Sequence, residues 1–310
     1  MTKEILSSIY DYTLDELKEK LKPSFRAKQV YNWLYKKYAN SYDDMKNLPK
    51  ELIEDLKANY PIDILKVVKK EQSSDGSIKY LFKLRDNHTI EAVLLLMKDK
   101  KIDEDGQIVR SEKYTVCISS QVGCKVGCSF CLTARGGFVR NLTVGEYIAQ
   151  IVHIKRDNEI AENKALNIVY MGMGEPLDNF DNFVKAVEIF SELDGLAISR
   201  RRQTVSTSGI ASKIKKLGEK DLQIQLAISL HAVDDELRSE LIPMNKAYNI
   251  ASIIEAVKAF PVDTRKKVMF EYLVIKDKND SLDAAKKLVK LLDGIQAKVN
   301  LIYFNPYPGT

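Results

Sequence analysis

Apolar positions fall in two rhythms along this chain. As far as Pro61 they recur every three or four residues, the spacing of helices with one buried face. Leu14, Leu17 and Leu21 follow Thr13-Leu14-Asp15-Glu16, a capping box that opens a helix, and Pro23 stops it. Val30, Trp33 and Leu34 carry the same pattern through Ser24–Tyr38, as do Leu52, Ile53 and Leu56 through Pro49–Ala58. From Ile62 the period shortens to two. Ile78, Tyr80, Phe82 and Leu84 alternate with polar residues, between turn signals at Ser74-Asp75-Gly76 and Asp86-Asn87. With Thr89–Met97 these segments predict a short antiparallel meander, and Lys98–Gly106 reads as a charged, exposed connector.

From Tyr114 onward the pattern becomes strand, loop, helix, repeated. Strands are expected at Tyr114–Ser119, Leu166–Met171, Gln203–Ser206, Leu222–Leu230, Lys267–Ile275 and Lys298–Phe304. Helices fit from a second capping box at Thr143–Glu146, and at Asn179–Leu193, Ile210–Leu217, Asp234–Leu241, Asn249–Ala259 and Ser281–Leu292. Alternation of this kind predicts a parallel sheet with right-handed crossovers. The chain thus divides into a helical part (1–61), an antiparallel linker (62–106) and an α/β part (107–310). Polar and glycine-rich runs fall repeatedly at the C-terminal ends of the strands, where sheets of this class place their chemistry. They are the loop after the first strand, Gly172-Met173-Gly174-Glu175-Pro176, Ser206-Thr207-Ser208-Gly209, Ser229-Leu230-His231 and Asn305–Gly309.

The loop after the first strand changes the picture most. Gln121–Arg140, QVGCKVGCSFCLTARGGFVR, holds Cys124, Cys128 and Cys131 in a C-x3-C-x2-C spacing closed by Gly136-Gly137. Iron–sulfur clusters are held by cysteine thiolates, commonly four. Three would leave one iron open to bind something else, as a catalytic metal site requires. Phe130 stands ready to shield one face from water. A structural zinc site is the alternative; it needs a fourth ligand from Cys117, His88, His153 or His231. A disulfide framework does not suit four cysteines of which three share one loop.

Composition adds limits. The chain has 310 residues, 45% hydrophobic, enough for a real core. It shows no apolar run of membrane-spanning length and no signal peptide, so a cytoplasmic protein is expected. A net charge of +5 permits nucleic-acid binding without demonstrating it.

Cys117-Ile118-Ser119-Ser120-Gln121-Val122-Gly123-Cys124, the aromatic before Cys131 and the later Gly-Met-Gly-Glu-Pro together resemble the RlmN/Cfr family of radical S-adenosylmethionine (SAM) enzymes, and the likeness runs from the first helices to Thr310. The resemblance implies a partial (β/α)6 radical-SAM barrel behind an N-terminal helical accessory domain. It implies a [4Fe–4S] cluster on Cys124, Cys128 and Cys131, its open iron chelated by SAM. Gly174, Glu175, Ser206, Ser229, Leu230, His231 and Asn305 match the family's SAM contacts. Taken singly, His231 reads as a satisfied core histidine. The implied reaction is methylation of C2 of a specific adenosine in 23S ribosomal RNA and in transfer RNA. It runs through a methylated cysteine near the C-terminus, whose thioether to RNA is released by disulfide formation with the Cys117 equivalent. Glu91 matches the family's proton acceptor, and its largely apolar strand predicts a raised carboxyl pKa; the alternative is an exposed strand glutamate.

Arg135, Arg140 and Arg200-Arg201-Arg202 are candidate phosphate contacts. Tyr31, Trp33, Tyr35 and Tyr38, interleaved with Arg26, Lys28, Lys36 and Lys37, either stack on RNA or form core. A flavodoxin or ferredoxin is the implied electron donor, and a monomer the implied state. Methylation at C8 in the manner of Cfr, and an RNA-binding protein with a zinc loop, are the other functions considered. Family members continue past Asn305–Gly309 to the methyl-carrying cysteine, and no cysteine follows Cys131 here. The expectation is a truncated chain that binds cluster and SAM but does not methylate RNA alone.

Overall fold

A computed structural model describes residues 7–98, 101–102, 108–110, 112–162, 164–262 and 266–305. Most of the Lys98–Gly106 connector and everything after Asn305 lie outside them. The chain forms two compact units.

The first unit comprises Met1–Val122, Asn141–Met173 and Asp181–Gln203. Its N-terminal part is helical, as the three-to-four spacing predicts: α1 (Leu14–Lys20), α2 (Phe25–Tyr35) and α3 (Lys50–Asn59). Thr13 caps α1 reciprocally. The Thr13 amide donates to Glu16 Oε2 at 2.7 Å, and the Glu16 amide to Thr13 Oγ1 at 3.2 Å. Three antiparallel strands follow, β1 (Leu65–Gln72), β2 (Ile78–Leu84) and β3 (Thr89–Lys98), with Ile78, Tyr80, Phe82 and Leu84 buried as their alternation requires. Lys101–Ile102 pairs antiparallel with Ile108–Arg110, so the connector is partly a ladder rather than all loop.

The meander does not stand apart from the α/β part. β3 pairs antiparallel with β4 (Lys113–Cys117), and β4 pairs parallel with β5 (Leu166–Tyr170). Leu94, Val116 and Ile168 lie side by side across these strands, all buried. The helices α4 (Val144–Asp157) and α5 (Phe180–Ser191) follow β4 and β5. Thr143 caps α4 with Glu146, and the Gly145 amide donates to Asp11 Oδ1 at 2.6 Å, which ties α4 to the helical part.

The second unit comprises Gly123–Arg140, Gly174–Phe180 and Thr204–Thr310. Its strands are β6 (Gln203–Thr207), β7 (Gln225–Ser229), β8 (Val268–Val274) and β9 (Ala297–Tyr303), paired in that order and all parallel. Between them come α6 (Ala211–Lys220), α7 (Asp235–Leu241), α8 (Ile250–Lys258) and α9 (Leu282–Leu291). The six strands and their helices occupy the expected stretches, two strands in the first unit and four in the second.

Candidate cofactor site

The cysteine loop belongs to the second unit. Its neck is closed by the Cys124 amide, which donates to Gly137 O at 2.9 Å. Gly123 makes that closure possible: φ is +74°, and a Cβ there would stand 1.9 Å from Gly137 O. The Ser129 amide donates to Leu241 O at 3.0 Å and so pins the loop to the end of α7. Val126 packs with Leu241 and Ile242 in a small buried cluster, and Cys124, Cys128 and Phe130 lie against it.

Cys124, Cys128 and Cys131 are half-buried thiols outside any disulfide. Burial pushes the Cys124 thiol up to about 11 and the Cys128 thiol up to about 12. Burial thus favours the neutral thiols, and a metal bound there would displace their protons. An iron–sulfur core does that, spreading its thiolates over several irons. Among the described residues no three His, Cys, Asp or Glu side chains are gathered tightly enough to hold a metal ion, so the side-chain positions do not choose between cluster and zinc.

Beside the loop the strand ends converge. Gly174 takes φ +101° and delivers Glu175 into the interior, 3% exposed. Its two carboxylate oxygens are claimed separately. Oε1 accepts from the Leu177 amide at 3.1 Å and Oε2 from the Ser208 amide at 2.7 Å. Burial raises the Glu175 pKa, and these hydrogen bonds oppose the rise. Ser206 on β6 and Ser229 on β7 stand with their hydroxyls 3.5 Å apart.

Glu271 on β8, directly across from Ser229, places Oε2 3.5 Å from Ser206 Oγ. Burial raises its pKa too. Glu271 is not among the residues that motif and spacing single out. Its signal was available: a lone carboxylate in the middle of a parallel strand expected to be buried on both faces.

His231 closes β7 with φ +58°. Its Nδ1 accepts from the Leu273 amide at 3.0 Å, so the ring proton sits on Nε2. The His231 carbonyl accepts from Asn279 Nδ2 at 2.8 Å, and Phe130 meets the imidazole edge to face at 5.0 Å. Burial, and then the charge of Arg238, lower its pKa to about 3. His231 is therefore a fixed neutral donor rather than a proton shuttle. Leu230 is fully buried, its amide donating to Glu271 O at 3.0 Å, and Asn305, just beyond β9, is exposed.

In the first unit Ser119 is a junction. Its hydroxyl donates to Glu91 O at 2.6 Å and accepts from the Met173 amide at 2.9 Å. Gln150, fully buried on α4, clamps the Ser119 backbone from both sides, accepting from its amide at 2.9 Å and donating to its carbonyl at 3.1 Å. The backbone after Cys117, the strand of Glu91 and the turn leading to Gly174 are thus tied at one side chain. Cys117 itself ends β4, half-buried, with Val93 and Val169 on its two sides.

Two alternatives left open by the sequence are resolved. Glu91 does not lie in apolar surroundings: Ile90, Ala92 and Leu94 take the buried face of β3, and Glu91 faces outward, 43% exposed and ion-paired to Lys79 at 2.8 Å. Tyr31 and Tyr35 are fully buried and unavailable for stacking on bases. Of the aromatic set Trp33 is half-exposed, its indole donating to Asn47 Oδ1 at 2.6 Å under the Lys37 ammonium, 3.8 Å from the ring centroid. Tyr38 is also half-buried. Lys28 and Lys36 pair with Asp194 and Glu162. Arg135 and Arg200–Arg202 are exposed, and Arg140 is half-buried.

Two family models match the chain: the Radical SAM superfamily over residues 118–289, and the ribosomal RNA large subunit methyltransferase N-terminal domain over residues 9–62. A dual-specificity RNA methyltransferase RlmN of Aliarcobacter butzleri is 93% identical over all of this chain and 86% of its own length. That of Sulfurimonas denitrificans is 66% identical over 98% of this chain and 85% of its own length. A crystal structure of a radical SAM methyltransferase from Sphaerobacter thermophilus superposes with a TM-score of 0.89 at 42% identity, covering 98% of this chain and 87% of that one. Among the described residues no helix is long and apolar enough to cross a membrane.

Proposed function

This chain belongs to the RlmN family of radical SAM methyltransferases, and on that premise we propose that it serves the methylation of C2 of a specific adenosine in 23S ribosomal RNA and in transfer RNA, by way of a methylated cysteine that is not among the four cysteines present here. The observation that carries the reading is the cysteine loop, pinned at Gly137 and Leu241, which sets Cys124 and Cys128 against one small buried cluster with Phe130 on His231. Cys124, Cys128 and Cys131 hold a [4Fe–4S] cluster. Bound there and reduced, the cluster supplies the single electron that splits SAM.

The chain's own groups do the positioning. Glu175, both oxygens already oriented by backbone amides, takes the methionyl amine of SAM together with the Gly174 backbone. Ser206, Ser229 and the Nε2–H of His231 offer fixed polar contacts, with Leu230 as wall and Asn305 as a further contact. Cys117, on a strand held from both sides, is the thiol that would attack the sulfur of the protein–RNA thioether: a disulfide to the methyl-carrying cysteine forms, the bond from sulfur to the adenine methylene breaks, and its electron pair and a proton complete the methyl group on RNA. Glu91, reaching solvent beside Lys79, is the proton acceptor. Residues 1–61 grip RNA, with Trp33 and Lys37 as the surviving stacking pair, and Arg135, Arg140 and Arg200–Arg202 meet phosphates. A flavodoxin or ferredoxin supplies electrons to a cytoplasmic monomer.

Nucleoside analysis of RNA tests this. Cells carrying the gene should contain 2-methyladenosine that cells deleted for it lack. Finding 8-methyladenosine in its place would assign the Cfr position instead. Unchanged RNA with a zinc-loaded protein would leave an RNA-binding module.

A further inference from the structure

Arg238, on α7, is an unexpected charge in the middle of the second unit: it is 0% exposed. Its guanidinium is spent almost wholly on backbone. Nε donates to Leu230 O at 3.1 Å, and Nη2 donates to Ser208 O at 2.6 Å and Ser229 O at 3.1 Å. Nη1 donates to Asn245 Oδ1 at 2.8 Å. Ser208 follows β6, and Ser229 and Leu230 close β7, so one planar fork fastens the two strand ends that carry Ser206, Ser229 and His231. The approach is close. A Cβ at Gly209, where φ is +104°, would stand 3.2 Å from Nη2.

These carbonyls alone do not call for a cation, because a neutral amide donates as well without the penalty of burying a charge. Among the described residues no carboxylate oxygen accepts from Arg238. Burial lowers its pKa to about 10, and the opposing influences are the charge of Cys128 and then that of Asp235. Three residues along from Arg238, Leu241 packs in the same buried cluster that Cys124 and Cys128 touch. A positive charge whose hydrogen bonds all go to neutral groups, with the Asp235 carboxylate one residue further off behind Asn245, would find further counter-charge in the thiolates that a bound metal cluster creates in the neighbouring loop.

We propose that Arg238 is a positioning residue with two separable effects: its fork fixes the backbone that receives SAM, and its charge favours the reduced, more negative state of the cluster. The inference rests on the cluster and SAM reading given above. The two effects come apart in two variants. Arg238→Lys keeps the charge and loses the fork, whereas Arg238→Met loses both.

The experiment uses the whole chain, reconstituted anaerobically, with two readouts: SAM binding by equilibrium dialysis, and an EPR-monitored redox titration of the cluster. Arg238→Lys should bind SAM at least about tenfold more weakly while its reduction equilibrium stays within about threefold of wild type. Arg238→Met should show the same weakening and a reduction equilibrium shifted about tenfold toward the oxidised cluster, about 59 mV for one electron. If Arg238→Met does not fold, Arg238→Gln removes the charge in its place and is read by the same redox titration. Wild-type SAM affinity in Arg238→Lys, or a wild-type potential in Arg238→Met, overturns the proposal and leaves the cluster reading intact. A wild-type chain that takes up no iron sinks both.

Discussion

Acidification should weaken this protein through His231, and the size of the effect follows from its surroundings. The imidazole is 4% exposed, accepts the Leu273 amide at Nδ1, and has its pKa lowered to about 3 by burial and the Arg238 charge. An unfolded histidine titrates near 6.5. Between those values the unfolded chain binds a proton that the folded chain refuses, so stability rises with pH in this window. It falls as pH drops below about 6.5 and stops falling near the folded pKa. From pH 7 to pH 5 the contribution of this one group is a loss of about 2 kcal/mol. Other titrating groups act in the same range, so the perturbation is the difference between wild type and His231→Asn. Asparagine tolerates the φ of +58° and offers a carbonyl oxygen for the Leu273 amide. Urea unfolding of the metal-free chain, followed by circular dichroism at both pH values, reads the difference. Wild type should lose about 2 kcal/mol more than the variant on acidification. Equal losses in the two proteins would refute a buried, neutral His231.

Four further outcomes follow from the same geometry. Glu175→Gln should weaken SAM binding by about tenfold or more, a charge-assisted contact being exchanged for a neutral one, and dialysis against labelled SAM checks it. Gly123→Ala should prevent iron loading, since its Cβ would meet Gly137 O at 1.9 Å and its φ of +74° adds strain of about 1–3 kcal/mol; iron content after reconstitution is the readout. Tyr35→Ala should cost about 3–5 kcal/mol of stability as a core truncation. Trp33→Ala should leave the melting temperature near wild type and lower affinity for a transfer RNA in a gel-shift assay.

Much of the fold could be read before any coordinates because its rhythms are local. Thr13 and Thr143 each carry their own glutamate three residues on, and both capping boxes form. The strand of Tyr80 and Phe82 buries the face its alternation dictates. The cysteine loop stands out by its spacing and glycines, which leave cluster and zinc both open. Less legible was everything set by non-local packing. Glu91 sits among leucines in sequence, but a strand has two faces and the sequence does not say which one a neighbouring Lys79 will share. Tyr31 and Tyr35 lie among lysines, yet the helix turns them inward while Lys28 and Lys36 find carboxylates elsewhere. Arg238 reads as an ordinary surface arginine in Asp235–Leu241, and only the fold reveals the backbone carbonyls of Leu230, Ser208, Ser229 and Tyr248 waiting for it. Gln150 and Ser119 are likewise ordinary letters that become a junction once α4 lies against β4.

The central claim is a multi-iron cluster on Cys124, Cys128 and Cys131. Anaerobic reconstitution with iron and sulfide, followed by elemental analysis and EPR of the dithionite-reduced chain, tests it most directly. Wild type should be brown, hold about four irons and four sulfides per chain, and give the signal of a reduced cubane. Cys124→Ala, Cys128→Ala and Cys131→Ala should each lose most of the iron. A colourless wild-type chain holding one zinc, or a triple-alanine variant with undiminished iron, would contradict the account.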